Sequence, residues 1–263
     1  MAEQSASSGA GEPTRTAVGI DVGGSGIKGG VVDLGSGQLI GERRRDPTPE
    51  GFEPEPVIEL IAELATQLSP EGPIGVGFPA IINRGLLLTN PTSLQWPGWK
   101  GRNLREQLAE RTGRAVAIAN DADVAALAEQ RFGAARGVEG TVLVLTLGTG
   151  IGSGLLRNGR LFPNIELGRI YLAGDEQVAE EQCAARIRTE RDLSWEEYSA
   201  RLQRYLTHIE RILAPDLIAI GGGISRDAEQ FMPRLQTRAR MVTASLLNDA
   251  GIVGGATLTE HEV

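Results

Sequence analysis

The amino-acid sequence predicts an α/β protein built as two similar halves around a shared cleft, and three observations carry that prediction. A strand-like run, a glycine-rich turn and a second apolar run begin at Gly19, and the same pattern begins again at Leu143. Short apolar runs alternate with stretches in which apolar residues recur at helical spacing. The 35 glycines fall in discrete clusters at the ends of those runs, which marks tight turns and close backbone approach to a ligand rather than a low-complexity tract. The repeat places the division near Ala119. Residues 1–15, rich in Ser, Gly, Glu and Ala, read as a disordered tail. Residues 16–119 form a first α/β domain and 120–263 a second, whose last residues are candidates to pack back on the first.

In chain order, Thr16 to Val22 reads as a buried strand, followed by Gly23-Gly24-Ser25-Gly26 and a second apolar run through Val31 and Val32. Gly35 to Gln38 turns the chain into a third strand from Leu39 to Arg44, so the start is an antiparallel meander. Val57, Ile58, Leu60, Ile61, Leu64 and Leu68 recur at helical spacing, and Ile74 to Phe78 is the next strand. Val116 to Ala119 runs into Asn120-Asp121, with Asp121 a plausible N-cap for an alanine-rich helix through Phe132. Thr141 to Leu147 is the most apolar strand. It ends in Gly148-Thr149-Gly150-Ile151-Gly152-Ser153-Gly154. A helix over Trp195 to Leu213 and a strand over Leu217 to Ile220 lead to Gly221-Gly222-Gly223, which would open a further helix.

Composition narrows the function. At 263 residues, 41% hydrophobic and 23% charged, the chain can bury a sizeable core. A net charge of −8 argues against a general basic field for nucleic acid. Cys183 stands alone, so no internal disulfide forms, and with only His208 and His261 the usual zinc ligand sets are missing. No apolar run reaches the about 18 residues that span a bilayer, and no basic-then-apolar leader opens the chain. These features predict a cytoplasmic protein with neither nucleic acid nor membrane as partner.

The glycine turns suggest phosphate. Many inward backbone N–H donors need backbone without obstructing Cβ atoms, which Gly23, Gly24 and Gly26 supply beside Ser25, with Lys28 adding a point charge. A plain glycine hairpin is the alternative. Apolar strand-like residues follow the turn, which disfavours a Rossmann phosphate turn opening a helix. Gly148, Thr149, Gly150 and Gly152 repeat the chemistry, with Thr149 and Ser153 adding hydroxyls. Gly221, Gly222 and Gly223 are further phosphate-binding candidates, able to pass beside a phosphate chain or beneath a planar base, with a close helix–strand contact as the bland alternative. Phosphoryl transfer to a hydroxyl needs a carboxylate that removes the proton, and Asp121 is the candidate, N-capping being its bland alternative.

The motifs Gly19-Ile20-Asp21-Val22-Gly23-Gly24-Ser25-Gly26-Ile27-Lys28, Asn120-Asp121-Ala122-Asp123, Leu147 through Ser153 and Ala214-Pro215-Asp216-Leu217 through Arg226 resemble those of the polyphosphate glucokinases. These are a branch of the repressor, open reading frame and kinase (ROK) family of sugar kinases. The resemblance runs in order from about Gly19 to Gly255. It implies a two-domain actin-like ATPase fold, a duplicated ribonuclease H-like architecture with a central phosphate and sugar cleft. It implies glucose as acceptor, polyphosphate or ATP as donor accompanied by Mg2+, no structural zinc, and a homodimer. Asp121 matches the general base and Asp21 the metal-phosphate end, while Asn103, Asn120, Glu166 and Glu180 match sugar ligands. The family's repressors carry a helix-turn-helix domain before the first glycine motif, and only about 16 non-periodic residues precede it here, which disfavours a regulator.

The chain departs from the family pattern in three places. The cysteine-rich zinc segment is missing, as in the polyphosphate branch. Ala80 follows Pro79 where glycine is usual, and Arg169 stands in Glu166-Leu167-Gly168-Arg169 where histidine is usual. A guanidinium there either bonds sugar hydroxyls or pairs with Glu166 or Glu180, so the expectation is a weakened hold on glucose. For a long polyanionic donor, Lys28, Lys100, Arg102 and Arg105 are the basic side chains expected to help.

Overall fold

The computed structural model describes residues 15–91 and 96–261, so nearly all of the expected tail, residues 1–14, lies outside the described residues. The chain opens with β1 (Thr16–Gly23), β2 (Gly26–Asp33) and β3 (Leu39–Asp46), a meander in which each strand pairs antiparallel with the next. After α1 (Pro54–Leu68) comes β4 (Ile74–Phe78), parallel to β1 and buried along its whole length. That burial is why Ile-Gly-Val-Gly-Phe shows no polar alternation. A small hairpin, β5 (Ile82–Asn83) and β6 (Leu86–Leu87), and α2 (Leu104–Thr112) precede β7 (Val116–Asn120), which completes a sheet of order β3-β2-β1-β4-β7.

The second half repeats this plan. After α3 (Asp121–Phe132), β8 (Thr141–Leu147), β9 (Ile151–Arg157) and β10 (Arg160–Phe162) form another antiparallel meander. The helices α4 (Glu180–Cys183), α5 (Ala185–Glu190) and α6 (Trp195–Leu213) lead to β11 (Leu217–Gly221), and α7 (Ala228–Phe231) leads to β12 (Arg240–Thr243). The order is β10-β9-β8-β11-β12, with β8, β11 and β12 parallel. The repeat seen in the glycine turns is therefore a repeat of sheet topology.

The last helix, α8 (Ala250–Leu258), packs on β1 and β4 of the first sheet and along α3. Gly19 faces Ile252 of α8, whereas Ile20 packs toward Leu64 and Leu68 of α1. Neighbouring residues on a strand point to opposite faces, so α8 and α1 cover the two sides of the sheet. Helix α8 has the sequence Ala-Gly-Ile-Val-Gly-Gly-Ala-Thr-Leu, whose glycines oppose helix formation. Packing overrides propensity: a Cβ at Gly254 would overlap the Val124 backbone of α3. In the first half, Phe52 stacks on Trp96 with centroids 4.2 Å apart, and the Trp99 indole N–H donates to the Phe52 carbonyl at 2.8 Å. Among the described residues, no helix is long and apolar enough to cross a membrane.

Two local expectations change. The N-cap of α3 is Asn120, not Asp121: the Asn120 carbonyl oxygen accepts from the Ala122 N–H at 2.9 Å and more weakly from that of Asp123. Asp121 is already the first helical residue. Gly223 opens a 3-10 turn, Gly223–Asp227, before the short α7, rather than a regular helix, and the Ser225 hydroxyl donates to the Gly222 carbonyl.

Candidate active site

A cavity of about 500 Å3 lies between the two sheets, and both glycine turns face it. From the first half come Gly23, Gly24 and Ser25 of the β1–β2 turn, and Asn120 and Asp121 at the β7–α3 corner. From the second come Gly148, Thr149, Gly150 and Gly152 of the β8–β9 turn, together with Glu166, Glu180 and Gly222. Strands end and turns begin at this cleft on both sides, so each half presents turn backbone to a common space.

Several expected residues stand behind this wall rather than on it. Asp21 and Lys28 face each other across β1 and β2 and form an ion pair at 3.1 Å. Gly26 is covered by Arg45, whose guanidinium donates to the Ser25 carbonyl at 2.8 Å. Gly221 ends a wholly buried strand, and Gly223 borders a smaller chamber beyond the wall. Asn103 requires correction: its side chain caps α2 by accepting from the Glu106 N–H at 3.3 Å, and it does not line the cavity. None of the four expected polyanion-binding cations lines it either, because Lys28 is held by Asp21 and Arg102 by Glu55 at 2.7 Å, while Lys100 and Arg105 lie elsewhere. The Ser153 hydroxyl is also reassigned. It donates to the Ile165 carbonyl and accepts from the Leu167 N–H at 3.0 Å, which fastens the segment carrying Glu166.

Asn120 does two things at once. Its carbonyl oxygen caps α3 while its amide donates to the Ala80 carbonyl at 3.2 Å, leaving one amide hydrogen for a ligand. Because Asn120 holds the cap, Asp121 is free for chemistry, apart from a bond its carboxylate accepts from the Ala122 N–H at 2.8 Å. Burial pushes the Asp121 carboxyl up to about 7, and the negative charges of Asp21 and Glu166 add to the effect. Burial also raises Glu166, with Glu180 reinforcing and Arg169 opposing.

Arg169 is held by Glu180: its guanidinium lies 3.0 Å from one carboxylate oxygen, while the other accepts the Ile151 N–H at 3.2 Å. Both Glu180 oxygens are thus engaged before any sugar arrives. Asp123 went unassigned in the sequence because an acid in the first turn of a helix is explained by the helix dipole. In the structure it is fully buried, is pushed up to about 7 chiefly by burial, and accepts from the Asn164 N–H at 2.8 Å. Asn164 in turn clamps the backbone of Ile82 in the first half, accepting from its N–H and donating to its carbonyl. Among the described residues, no group of three or more His, Cys, Asp or Glu could hold a metal ion.

Two glycine turns and one carboxylate of near-neutral pKa thus line a single cavity, an arrangement able to carry phosphoryl transfer. The sequence profile of the ROK family matches residues 17–183. The chain belongs to the ROK family. It is 44% identical to a polyphosphate glucokinase of Mycobacterium tuberculosis over 92% of this chain and 90% of that protein. The crystal structure of an inorganic polyphosphate/ATP-glucomannokinase from Arthrobacter sp. strain KM superposes with a TM-score of 0.87 at 45% identity, covering 94% of this chain and 98% of the other. A ROK glucokinase from Streptomyces griseus, solved with glucose and AMPPNP, shares the fold at a TM-score of 0.76 and 23% identity, covering 92% of this chain and 98% of that one. The ROK fold, with its two related α/β halves of the actin-like ATPase type, is therefore the fold of this chain.

Proposed function

We propose that this ROK protein is a glucokinase that transfers the terminal phosphoryl group of inorganic polyphosphate or ATP to the 6-hydroxyl of glucose, with Asp121 as general base. The observation that carries the reading is the position of Asp121 on the cavity wall with both glycine turns, at a pKa of about 7. A base poised near working pH is ionised often enough to act and basic enough to draw a proton. The similarity to polyphosphate glucokinases and to a polyphosphate/ATP-glucomannokinase supports the choice of donor and acceptor.

In this mechanism the sugar oxygen attacks phosphorus as its proton passes to the Asp121 carboxylate. The bond from phosphorus to the bridging oxygen breaks, and the shortened polyphosphate or ADP leaves with that electron pair. The N–H groups of the two turns hold the oxygens of the phosphoryl group in flight. Glu166, Glu180 and the remaining amide hydrogen of Asn120 are placed to orient sugar hydroxyls. Mg2+, when bound with the donor, neutralises its oxygens; it usually takes one or two carboxylates plus phosphate, and Asp21, beside the first turn, suits that role. The proposal includes action in the cytoplasm as a homodimer, and light scattering of the purified protein checks the assembly. Formation of glucose 6-phosphate with each donor tests the activity itself. A protein that makes none with either donor refutes it.

A further inference from the structure

A second, more open pocket of about 270 Å3, bordered by Arg186, Arg188, Trp195, Gly223 and Asp227, shares Gly148 with the wall of the main cavity. We propose that Arg188 is a receptor for the distal phosphates of a polyphosphate donor, and that it sets the preference for polyphosphate over a nucleotide. This rests on the phosphoryl-transfer reading above and specifies how that site holds one of its donors.

The Arg188 guanidinium lies 3.8 Å from the centroid of the Trp195 ring. Its Nε is buried and has no hydrogen-bond partner, and the side chain forms no ion pair with any described residue. A buried guanidinium N–H without an acceptor is costly, so a native site that keeps one is shaped for an acceptor that arrives from outside. The ring takes over part of the charge stabilisation and fixes the plane of the fork. A planar fork with free donors matches phosphate oxygens pairwise.

The placement is rigid. Arg186, two residues earlier on α5, donates from Nε to the Thr149 carbonyl at 2.6 Å, and its N–H bonds the Gly148 carbonyl at 3.1 Å. The phosphate turn and α5 are thereby bolted together. Trp195 opens α6 behind a capping box made by Ser194 and Glu197, and it stacks over Phe231. The one acid on the chamber, Asp227, is exposed at its rim. A chain of phosphates leaving the β8–β9 turn in this direction meets Arg188, beside Arg186, whose guanidinium is paired with Glu190 at 3.0 Å. A nucleoside going the same way brings no negative charge for Arg188 to bind.

The test compares Arg188→Gln and Arg188→Lys with the unaltered protein, using long-chain polyphosphate and ATP as donors. Arg188→Gln is expected to raise the KM for polyphosphate about tenfold, the size of a lost charge-assisted bond, with the KM for ATP within about twofold. The slope of log KM against log salt for polyphosphate should fall by about one, and Arg188→Lys should restore part of both effects. Equal losses with the two donors, a larger loss with ATP, or no change would each overturn the proposal. Calorimetric titration of polyphosphate without glucose separates this inference from the enzymatic reading. Binding by the unaltered protein that weakens in Arg188→Gln upholds it even if turnover is absent, and turnover with ATP without polyphosphate binding overturns it.

Discussion

Replacing Asp121 with Asn removes the proton acceptor while keeping shape, and the structure makes this substitution unusually clean. Asn120, not Asp121, caps α3, so the helix start keeps its bonds when the carboxylate goes. With the Asp121 pKa at about 7, the ionised base is half populated at neutral pH and falls about tenfold with each further unit of acid. In the unaltered protein, kcat/KM for glucose should therefore rise with pH, bend near 7 and level off above it; at pH 5 it should be about one-hundredth of the plateau. Asp121→Asn should lower kcat by about 10² to 10⁴ and lose the bend, while the calorimetric Kd for glucose changes little. A coupled assay of glucose 6-phosphate from pH 5 to about 8.5 at saturating donor reads both quantities. Because the Asp21 charge helps hold the Asp121 proton, Asp21→Asn should move the bend to lower pH. Unaltered turnover in Asp121→Asn, or a bend near 7 that survives in it, would refute the assignment.

Asp123 makes a prediction about stability rather than rate. Its folded pKa of about 7 lies above the 3.8 of an unperturbed carboxyl, so the folded chain binds the extra proton and stability falls as pH rises from about 4 to 7. The loss is on the order of 4 kcal/mol at most, and Asp123→Asn should flatten that part of a plot of Tm against pH; an unchanged slope would show that Asp123 does not hold the proton. Arg169→His should release Glu180 for the sugar and lower the glucose KM by about tenfold at saturating donor, and an unchanged or higher KM would refute that. Gly254→Ala forces a side chain into the Val124 backbone where α8 meets α3, so it should cost several kcal/mol, about 3 or more, or prevent folding, read by thermal melts.

What the sequence revealed was whatever is local and periodic. The strand over Ile74 to Phe78 and the helix over Trp195 to Leu213 were legible because their apolar spacing is unbroken, and both appear at those bounds. Helix α8 was not, since its glycines argue against helix and their purpose emerges only against β1, β4 and α3. At the site, the glycine turns and Asp121 announce themselves by pattern. The reach of a long side chain does not. Lys28 and Arg102 read as free cations until Asp21 and Glu55 are seen beside them, and Arg188 had no local signal because its significance lies in a ring seven positions later and in the lack of an acceptor. Asn103 matches a sugar ligand by motif, yet its side-chain oxygen caps the start of α2 and it lies off the cavity.

The charges of the cleft are sorted by depth, and this has a consequence for how a polyanion enters. Asp121, Glu166 and Glu180 line the cavity, Asp21 and Asp123 stand close behind, and the nearest cations, Lys28 and Arg169, are already paired. Cations without an acidic partner among the described residues lie further out, at Arg45 over the β1–β2 turn and at Arg188 beyond Gly148. Such a gradient favours a donor lying with its tail outward and only its terminal phosphoryl group inward, because each further phosphate pushed toward the carboxylates adds repulsion. The terminal group is then held chiefly by the dipoles of the two glycine turns and by the cation that travels with the donor. Backbone dipoles carry no net charge, so they can grip phosphate without suppressing the pKa of Asp121 as a nearby lysine or arginine would. In the proposed mechanism the acidic lining and the glycine turns thus belong to one arrangement: the first keeps the base strong enough to take a proton, and the second holds the phosphate that the base would otherwise repel.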